Sequence, residues 1–460
     1  MLDTERDVAT PTGALSSLAR RAHGTLLVFR ALPRQRRIPF LRARDLQLRR
    51  DAAVRETVRF AAQRVPHYRE LLRDAGIDAR QIRGAHELDA LPLLDKRDVQ
   101  REPTRFRPED RLAHALVLRT TGSTAMPLEV VHDRRSALAN IAYGARERGV
   151  EASVAGALRF LAVDVRAPAG TGSRVQGFYA RETLRPARLA GTRLEVGTPV
   201  EEVLAELDRL RPTIVRSYGT YLEVLFRTAV ARELTFHRPR AVLYSGDTMS
   251  AAGRELIEEL GIRVLSRYNA VECFKIAYTC EEGAGFHVHE DLCHVRLVDG
   301  NGRDVEPGER GEVVISNLVN RGTVLLNYRL GDVARLDETR CACGRSSARL
   351  VELEGRVDDV IALSDGRFVY PTEVWQALRS HTNLLRYQLV QLAPAAFELR
   401  VVTTAEENAG AEAAAGDLSR LLGHARVTLV RVAELSAGPG GKFRHVVPLP
   451  PVRSNPPDSG

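Results

Sequence analysis

Arg119 to Val130 read RTTGSTAMPLEV, a short apolar strand running into a turn made of Thr, Gly and Ser. Such a turn offers backbone N–H groups and the hydroxyls of Thr120, Thr121, Ser123 and Thr124 around Gly122, a donor set suited to phosphate oxygens. The same composition also makes an ordinary polar surface turn, and this segment alone leaves both readings open. It is not the common nucleotide loop G-x-x-x-x-G-K-[ST], because it contains no Gly-Lys pair.

Working outward, Asp45 to Ala75, Ala139 to Ala145 and Val203 to Leu210 carry apolar residues at helical spacing. Leu158 to Val165 is a compact apolar run that predicts a buried strand. Thr213 to Val215, Ala241 to Tyr244 and Val264 to Ser266 are further β-rich runs, each beside a helical stretch such as Leu222 to Ala231 or Ala252 to Leu260. Strand alternating with helix predicts an α/β fold with mainly parallel sheets. After Phe286 the texture changes to short strands with turn signals, at His294 to Val298, Glu312 to Ile315 and Val324 to Asn327, forming a β-rich subdomain. A third region starts near Gly355, with strands at Val360 to Leu363, Tyr387 to Leu392 and Phe397 to Val402 and a helix from Thr372 to Arg379. The expected organisation is an N-terminal extension (1–39), whose first twenty residues lack regular structure; a large multi-subdomain domain (40–354); a small α+β domain (355–447); and a loose tail (448–460) with five prolines.

Composition narrows the function. A chain of 460 residues with 44% hydrophobic and 27% charged residues is an ordinary globular protein. The net charge of +8 is spread along the chain and aromatics are only 5%, so a nucleic-acid partner is not expected. No apolar run reaches membrane-spanning length. The short patch Leu26 to Phe29 lacks a signal-cleavage pattern, which gives a cytoplasmic expectation. Of the 67 basic residues, 64 are Arg, and the three lysines are Lys96, Lys275 and Lys442. In so Arg-biased a chain a retained Lys points to a need for the compact ammonium, and Lys442 is singled out by its place in the motif series below.

Five cysteines are too few for a disulfide scaffold of this size. Cys280 and His287 on one segment, with Cys341 and Cys343 on another, form a three-Cys, one-His set of the kind that closes a structural zinc site. His289 is a competing ligand, and free thiols plus a surface His are the alternative. Cys273 and Cys293 read as core residues.

The motifs, taken in order, resemble the adenylate-forming (acyl-CoA synthetase) superfamily, specifically its phenylacetate–CoA ligase and coenzyme F390 synthetase-like branch, across about residues 50–447. RTTGSTAMPL is similar to that family's phosphate loop. Ser245-Gly246-Asp247 resembles the turn whose backbone lies along the adenine. Tyr268-Asn269-Ala270-Val271-Glu272 resembles Y-G-x-T-E, in which the aromatic covers the adenine and the Glu holds magnesium. Tyr328-Arg329-Leu330-Gly331-Asp332 resembles Y-R-T-G-D, whose Asp binds the ribose hydroxyls. Gly355-Arg356-Val357-Asp358-Asp359 resembles the hinge motif, with Asp358 at the pivot, and Gly441-Lys442 the late Gly-Lys that stabilises charge during adenylation.

The resemblance implies that the chain uses ATP and Mg²⁺ to turn a small carboxylic acid, aromatic or otherwise compact, into its acyl-AMP. Transfer to coenzyme A follows, after the C-terminal domain rotates. An acyl carrier protein or an amine is the alternative acceptor, and a nucleotide-binding protein without turnover the alternative of another class. Lys442, Glu272 and Thr121 are the expected catalytic residues, and a homodimer is one expected assembly. Some relatives resemble this chain in the Cys and His positions that hold zinc. Ser217, Tyr218, Gly219 and Tyr221 are candidates for the acid pocket. The chain departs from the pattern at Ala125, Met126, Asn269 and Val271, where relatives carry Gly, Lys, Gly and Thr. These changes remove one positive charge and one hydroxyl from the phosphate region.

Overall fold

The structure, a computed structural model, describes residues 11–110, 112–120, 127–168, 170–184, 191–378, 380–381, 384–403, 409–435 and 443–449. The chain opens with helices α1 (Pro11–Gln35), α2 (Ala43–Arg64), α3 (Pro66–Asp74) and α4 (Lys96–Arg101). The antiparallel hairpin β1 (Leu116–Arg119) and β2 (Glu129–His132) follows, with Leu116 opposite His132 and Arg119 opposite Glu129. The hairpin leads into α5 (Arg134–Ala155), which starts where Asp133 accepts from the Arg135 and Ser136 amides at 3.0 Å and stops at Gly156, φ 67°.

Alternating strand and helix then run β3 (Ala162–Arg166), α6 (Thr171–Glu182), β4 (Gly191–Glu195), α7 (Val200–Leu210), β5 (Ile214–Ser217), α8 (Gly219–Ala231), β6 (Ala241–Ser245), α9 (Ala251–Glu259) and β7 (Arg263–Tyr268). The β-rich region supplies β8 (Ala277–Thr279), β9 (Phe286–Val288), β10 (Cys293–Val298), β11 (Arg310–Asn317), β12 (Tyr328–Asp337) and β13 (Arg349–Arg356).

These strands make one eleven-stranded sheet, in the order β10-β11-β12-β13-β9-β8-β7-β6-β5-β3-β4. The β4-β3-β5-β6-β7 half is parallel, and the remainder is antiparallel. The parallel half is covered on both faces, as such sheets must be. Val163, Val165, Val215, Val242 and Val264 pack with α7, α8 and α9, while Ala162, Ile214, Ala241, Leu243 and Leu265 pack with Val150 of α5. The antiparallel half shares a core with α2 and α3.

Beyond β13, a 3-10 turn (Val357–Asp359) leads to the short pair β14 (Ile361–Ala362) and β15 (Phe368–Val369), then α10 (Pro371–Leu378). A four-stranded sheet, ordered β18-β17-β16-β19, is built from β16 (Leu384–Ala393), β17 (Ala396–Thr403), β18 (Arg426–Arg431) and β19 (Val446–Val447), with α11 (Ala409–Leu421) after β17. Its residues form a separate hydrophobic cluster from Ile361 to Val446.

Three expectations are corrected. The opening residues are not without structure from Pro11 on: α1 lays Leu27 and Val28 against a cluster with Leu138 of α5 and Phe178 of α6. Gly24 permits that approach, since a Cβ there would collide with the Glu182 carbonyl. Val324 to Asn327 is not a strand but a buried irregular segment ahead of β12, where Asn327 Nδ2 donates to the Leu88 and Leu91 carbonyls at 2.7 and 2.9 Å. The Leu158 to Val165 run begins its strand only at Ala162, and Leu158 and Leu161 are exposed.

Candidate active site

The Ser245-Gly246-Asp247 and Tyr268-to-Glu272 segments leave the carboxyl ends of the parallel strands β6 and β7, where α/β sheets present their loops. Thr120 closes the hairpin that carries the candidate phosphate loop: its amide donates to the Leu128 carbonyl at 2.9 Å, and its Oγ1 accepts from the Leu128 amide at 3.0 Å. Thr121, Gly122, Ser123 and Thr124, with Ala125 and Met126, lie outside the described residues, as do Gly441 and Lys442. The hairpin is tied to the next motif by His132 of β2, which donates from Nε2 to the Val271 carbonyl at 2.7 Å and stacks on Phe274. Burial lowers the His132 pKa to about 4, so the ring is neutral.

Tyr268 ends β7 and Glu272 follows in the loop beyond it. The Tyr268 hydroxyl donates to Asp332 Oδ2 at 2.5 Å. Arg356, at the end of β13, lies 3.5 Å from Asp332 Oδ1 and donates to the Leu330 carbonyl at 3.1 Å. Glu272 is buried, and its backbone carbonyl is held by Asn317 Nδ2 at 2.9 Å. Burial raises its carboxyl pKa against the opposing pull of Arg356 and Lys96, and Asp332 adds like-charge repulsion. The phenol of Tyr328 is likewise pushed up, first by burial and then by Glu272. Two carboxylates, two phenols and one guanidinium therefore share one corner, and Asn269 lies exposed beside it.

The Ser245-Gly246-Asp247 turn is pinned from both sides. Arg166 donates to the Ser245 carbonyl and hydroxyl at 3.1 Å each and lies 4.9 Å over the Tyr218 ring. Gly246 has φ 95° and faces Tyr218, so its backbone can stay close to that ring. The Asp247 carboxylate turns away to cap α8, accepting from the Gly219 amide at 2.5 Å and from the Thr220 amide and hydroxyl. Burial raises its pKa to about 6 despite those hydrogen bonds. Among the other acid-pocket candidates, Ser217 is spent on the Val165 carbonyl at 2.7 Å, and Tyr221 Oη is buried. Asp358 lies in the 3-10 turn after β13, and its side chain is outside the described residues.

Cys280, His287, Cys341 and Cys343 come together, with all four ligand atoms within 4.8 Å of one another. Two edges of the cluster are informative: Cys280 Sγ to Cys341 Sγ is 3.8 Å and Cys343 Sγ to His287 Nε2 is 3.2 Å. A tetrahedral zinc with Zn–S of about 2.3 Å and Zn–N of about 2.0 Å requires edges of roughly 3.5–3.8 Å. The Cys280–Cys341 edge matches that range and the Cys343–His287 edge falls about 0.3 Å short of it, while the number and type of the four ligands suit that ion. The second ring nitrogen of His287 lies 3.3 Å from Ser347 Oγ, which fixes Nε2 as the atom facing the thiols. Burial lowers the His287 pKa to about 4, leaving it neutral. Burial raises the Cys343 thiol, but the Arg345 amide and guanidinium outweigh it and bring its pKa below the ordinary value. His289 does not compete for this cluster; it stacks on Tyr278 and sits 3.4 Å from Glu147. Cys273 and Cys293 are buried in the main core.

Sequence reasoning noted Lys96 and Lys275 but gave neither a role. Lys96, on α4, contributes charge at Glu272, and Lys275 is buried 2.8 Å from Glu147. Their rarity among 64 arginines was the available signal.

No protein-family model matches the chain. It is similar to the phenylacetate–coenzyme A ligase of Thermus thermophilus, 26% identical over 367 residues that cover 78% of this chain and 80% of that protein. It is also similar to the phenylacetate–coenzyme A ligase of Aromatoleum evansii, 23% identical over 358 residues, 76% and 78% of the two chains. Among solved structures, 2-hydroxyisobutyryl-CoA ligase in its postadenylation state, bound to an acyl-AMP, superposes with a TM-score of 0.72 at 19% identity, covering 90% of this chain and 91% of that one. The same ligase in its thioesterification state scores 0.57 with the same coverage. Along most of its length, therefore, the chain resembles the phenylacetate–coenzyme A ligases in sequence and an acyl-CoA ligase in fold.

Proposed function

We propose that the chain joins a small carboxylic acid to AMP at the expense of ATP and then passes the acyl group to coenzyme A. In the first step a carboxylate oxygen attacks the α-phosphorus, and the bond to pyrophosphate breaks. In the second the coenzyme A thiolate attacks the acyl carbon, and AMP leaves with the bonding electron pair. The observation that carries this reading is the corner formed by Tyr268, Glu272, Asp332 and Arg356, drawn from β7, the loop after it, β12 and β13. Asp332 is assigned to the ribose hydroxyls, Tyr268 and the Ser245-Gly246 backbone to the adenine, and Arg356 to orienting Asp332.

The carboxyl of Glu272, buried and pushed up beside Asp332, suits a divalent cation, and Glu272 would hold Mg²⁺ there. When bound, that ion neutralises phosphate charge as the two anions meet. Thr121, Ser123 and Thr124 are assigned to the phosphates and Lys442 to the charge that develops on the α-phosphate. The cysteine–histidine cluster is assigned to a structural zinc, since four protein ligands leave no open position; a cytoplasmic setting keeps such thiols reduced.

We also assign residues 355–447 as a mobile domain that pivots at Asp358. In its support, the structure superposes better on the postadenylation state of the solved ligase than on its thioesterification state, 0.72 against 0.57. In this arrangement Glu223 and Arg227 of α8 face Trp375, Tyr387 and His445 across a narrow seam.

Acid-dependent exchange of labelled pyrophosphate into ATP tests the first step. Exchange with at least one acid, reduced about a hundredfold or more by Lys442→Ala, is the expected result; exchange untouched by that substitution removes Lys442 from the chemistry. Adding coenzyme A or an amine to the active mixture then identifies the acceptor.

A further inference from the structure

The α5-facing side of the parallel sheet changes character at its carboxyl end. Leu243 and Leu265 give way to Arg216 on β5 and Arg267 on β7, with Asp164 and Arg166 on β3. Opposite them α5 presents Glu147, Arg148 and Glu151, and Lys275 enters from the loop after β7. The side chains bracket the Ser245-Gly246 turn through Arg166, next to the corner assigned to the nucleotide.

The charges in this layer do not balance. Glu147 takes Lys275 at 2.8 Å and Arg267 at 3.0 Å. Glu151 takes Arg216 at 2.5 Å together with Arg267, and Asp164 lies 3.6 Å from Arg216. Three carboxylates thus serve three cations. Arg148 and Arg166 remain: among the described residues neither has a carboxylate within ion-pairing distance, and Arg148 Nη2 reaches only the Ile141 carbonyl at 3.3 Å. Burial lowers the pKa of both guanidiniums, with Arg267 repelling Arg148 as well. Both side chains are only half-buried, and a network serving stability alone would be expected to set carboxylates beside them as it does beside Arg216 and Arg267.

The surplus has a focus. Gly144 lies one turn before Arg148 on α5, and from the place its Cβ would occupy Arg148 Nη1 is 3.2 Å away and Lys275 Nζ 4.0 Å away. Two cations converge over a residue that has no side chain, and a larger residue at 144 would crowd Arg148.

We propose that this layer receives the distal part of the acid, and that the acid carries a second anionic group, in the simplest case a second carboxylate, held between Arg148 and Lys275 above Gly144. The inference rests on the acyl-activation reading and narrows it from a compact acid to a diacid. Arg148 can offer a planar fork of donors and Lys275 a point charge, while Glu147 and Glu151 keep Arg267 and Arg216 in place around them.

The test compares diacids, aliphatic and aromatic, each against its own half-methyl ester in pyrophosphate exchange by the full chain. The two members of a pair differ by one charge and little in shape. The expected result is at least a tenfold advantage in kcat/KM for a diacid over its half-ester, with Arg148→Gln bringing that ratio towards one. Should Arg148→Gln fail to fold, the ratio measured on the unaltered chain decides alone. A half-ester, or a monocarboxylate with an uncharged distal end, used as well as the diacid overturns the proposal and leaves acyl activation standing; no exchange with any acid overturns both.

Discussion

Tyr268 and Asp332 are joined by a hydrogen bond of 2.5 Å although β7 and β12 are separated in the sheet by β8, β9 and β13. The contact therefore reaches across the turn from parallel to antiparallel strands rather than along a ladder. Burial and the Asp332 carboxylate push the Tyr268 phenol well above its ordinary range, so it stays a donor at any physiological pH. The bond fixes where the carboxylate lies, and Arg356 approaches its other oxygen at 3.5 Å.

If that carboxylate receives the ribose hydroxyls, Asp332→Asn weakens two charge-assisted hydrogen bonds, each worth about 1.5–3 kcal/mol. The KM for ATP in pyrophosphate exchange should rise about tenfold to a hundredfold. Tyr268→Phe, which removes the positioning hydroxyl and keeps the ring, should raise it less. An unchanged KM in Asp332→Asn would remove the residue from nucleotide binding.

The cysteine–histidine cluster predicts about one zinc per chain in protein purified without chelator. Cys341→Ser should abolish stoichiometric metal and lower the melting temperature by several degrees, since binding energy at a structural site is folding energy. Cys293→Ser, in the main core and away from the four ligands, should keep its metal. Full stability with no metal in elemental analysis would refute the assignment.

These sites differ in how much the sequence revealed. The cysteine–histidine cluster was legible because Cys is rare here and the three-Cys, one-His count is chemically specific. Tyr268, Glu272 and Asp332, which the structure brings to one corner, were picked out because each sits at a fixed place in a short local motif. The role of Asp247 as a cap on α8 was not, because the Gly219 and Thr220 amides it serves lie 28 and 27 residues away in sequence. Helix α1 was missed because its apolar positions are interspersed with Arg20, Arg21 and Arg30, and its partner surface on α5 and α6 exists only in the fold. The charged layer around Glu147 escaped for a related reason: Arg216 and Arg267 read as breaks in apolar strands until α5 brings carboxylates over them.

Asp247 gives a pH prediction with a definite sign. Its folded-state pKa of about 6 lies above the ordinary 3.8. Its favourable contribution is thus fully present below about pH 4 and is lost as pH rises through 6. The shift corresponds to a differential on the order of 3 kcal/mol. Asp247→Asn has no such titration, so the melting temperature of the variant minus that of the native chain should move in the variant's favour between pH 4 and 7. A difference independent of pH over that range would show that the carboxyl is not held in this way.

Gly355, opposite Val333 and with φ 109°, immediately precedes Arg356, the residue of β13 that pairs with Asp332 and leads into the turn at Val357–Asp359. A Cβ there would stand 2.9 Å from Cγ of Pro371, the first residue of α10. Alanine at this position meets two obstacles at once. An L-residue at such a φ is strained by about 1–2 kcal/mol or more, and the proline, packed in the C-terminal fold, cannot retreat as a flexible side-chain end could. Gly355→Ala should therefore lower the melting temperature and displace Arg356, weakening its approach to Asp332. If this turn is also where the small domain pivots, the two half-reactions will respond unequally. Pyrophosphate exchange should fall severalfold, while thioester formation, which requires the other domain arrangement, should change by a different factor. Equal losses in both half-reactions, with an unaltered melting temperature, would place the pivot elsewhere and leave Gly355 as a packing residue.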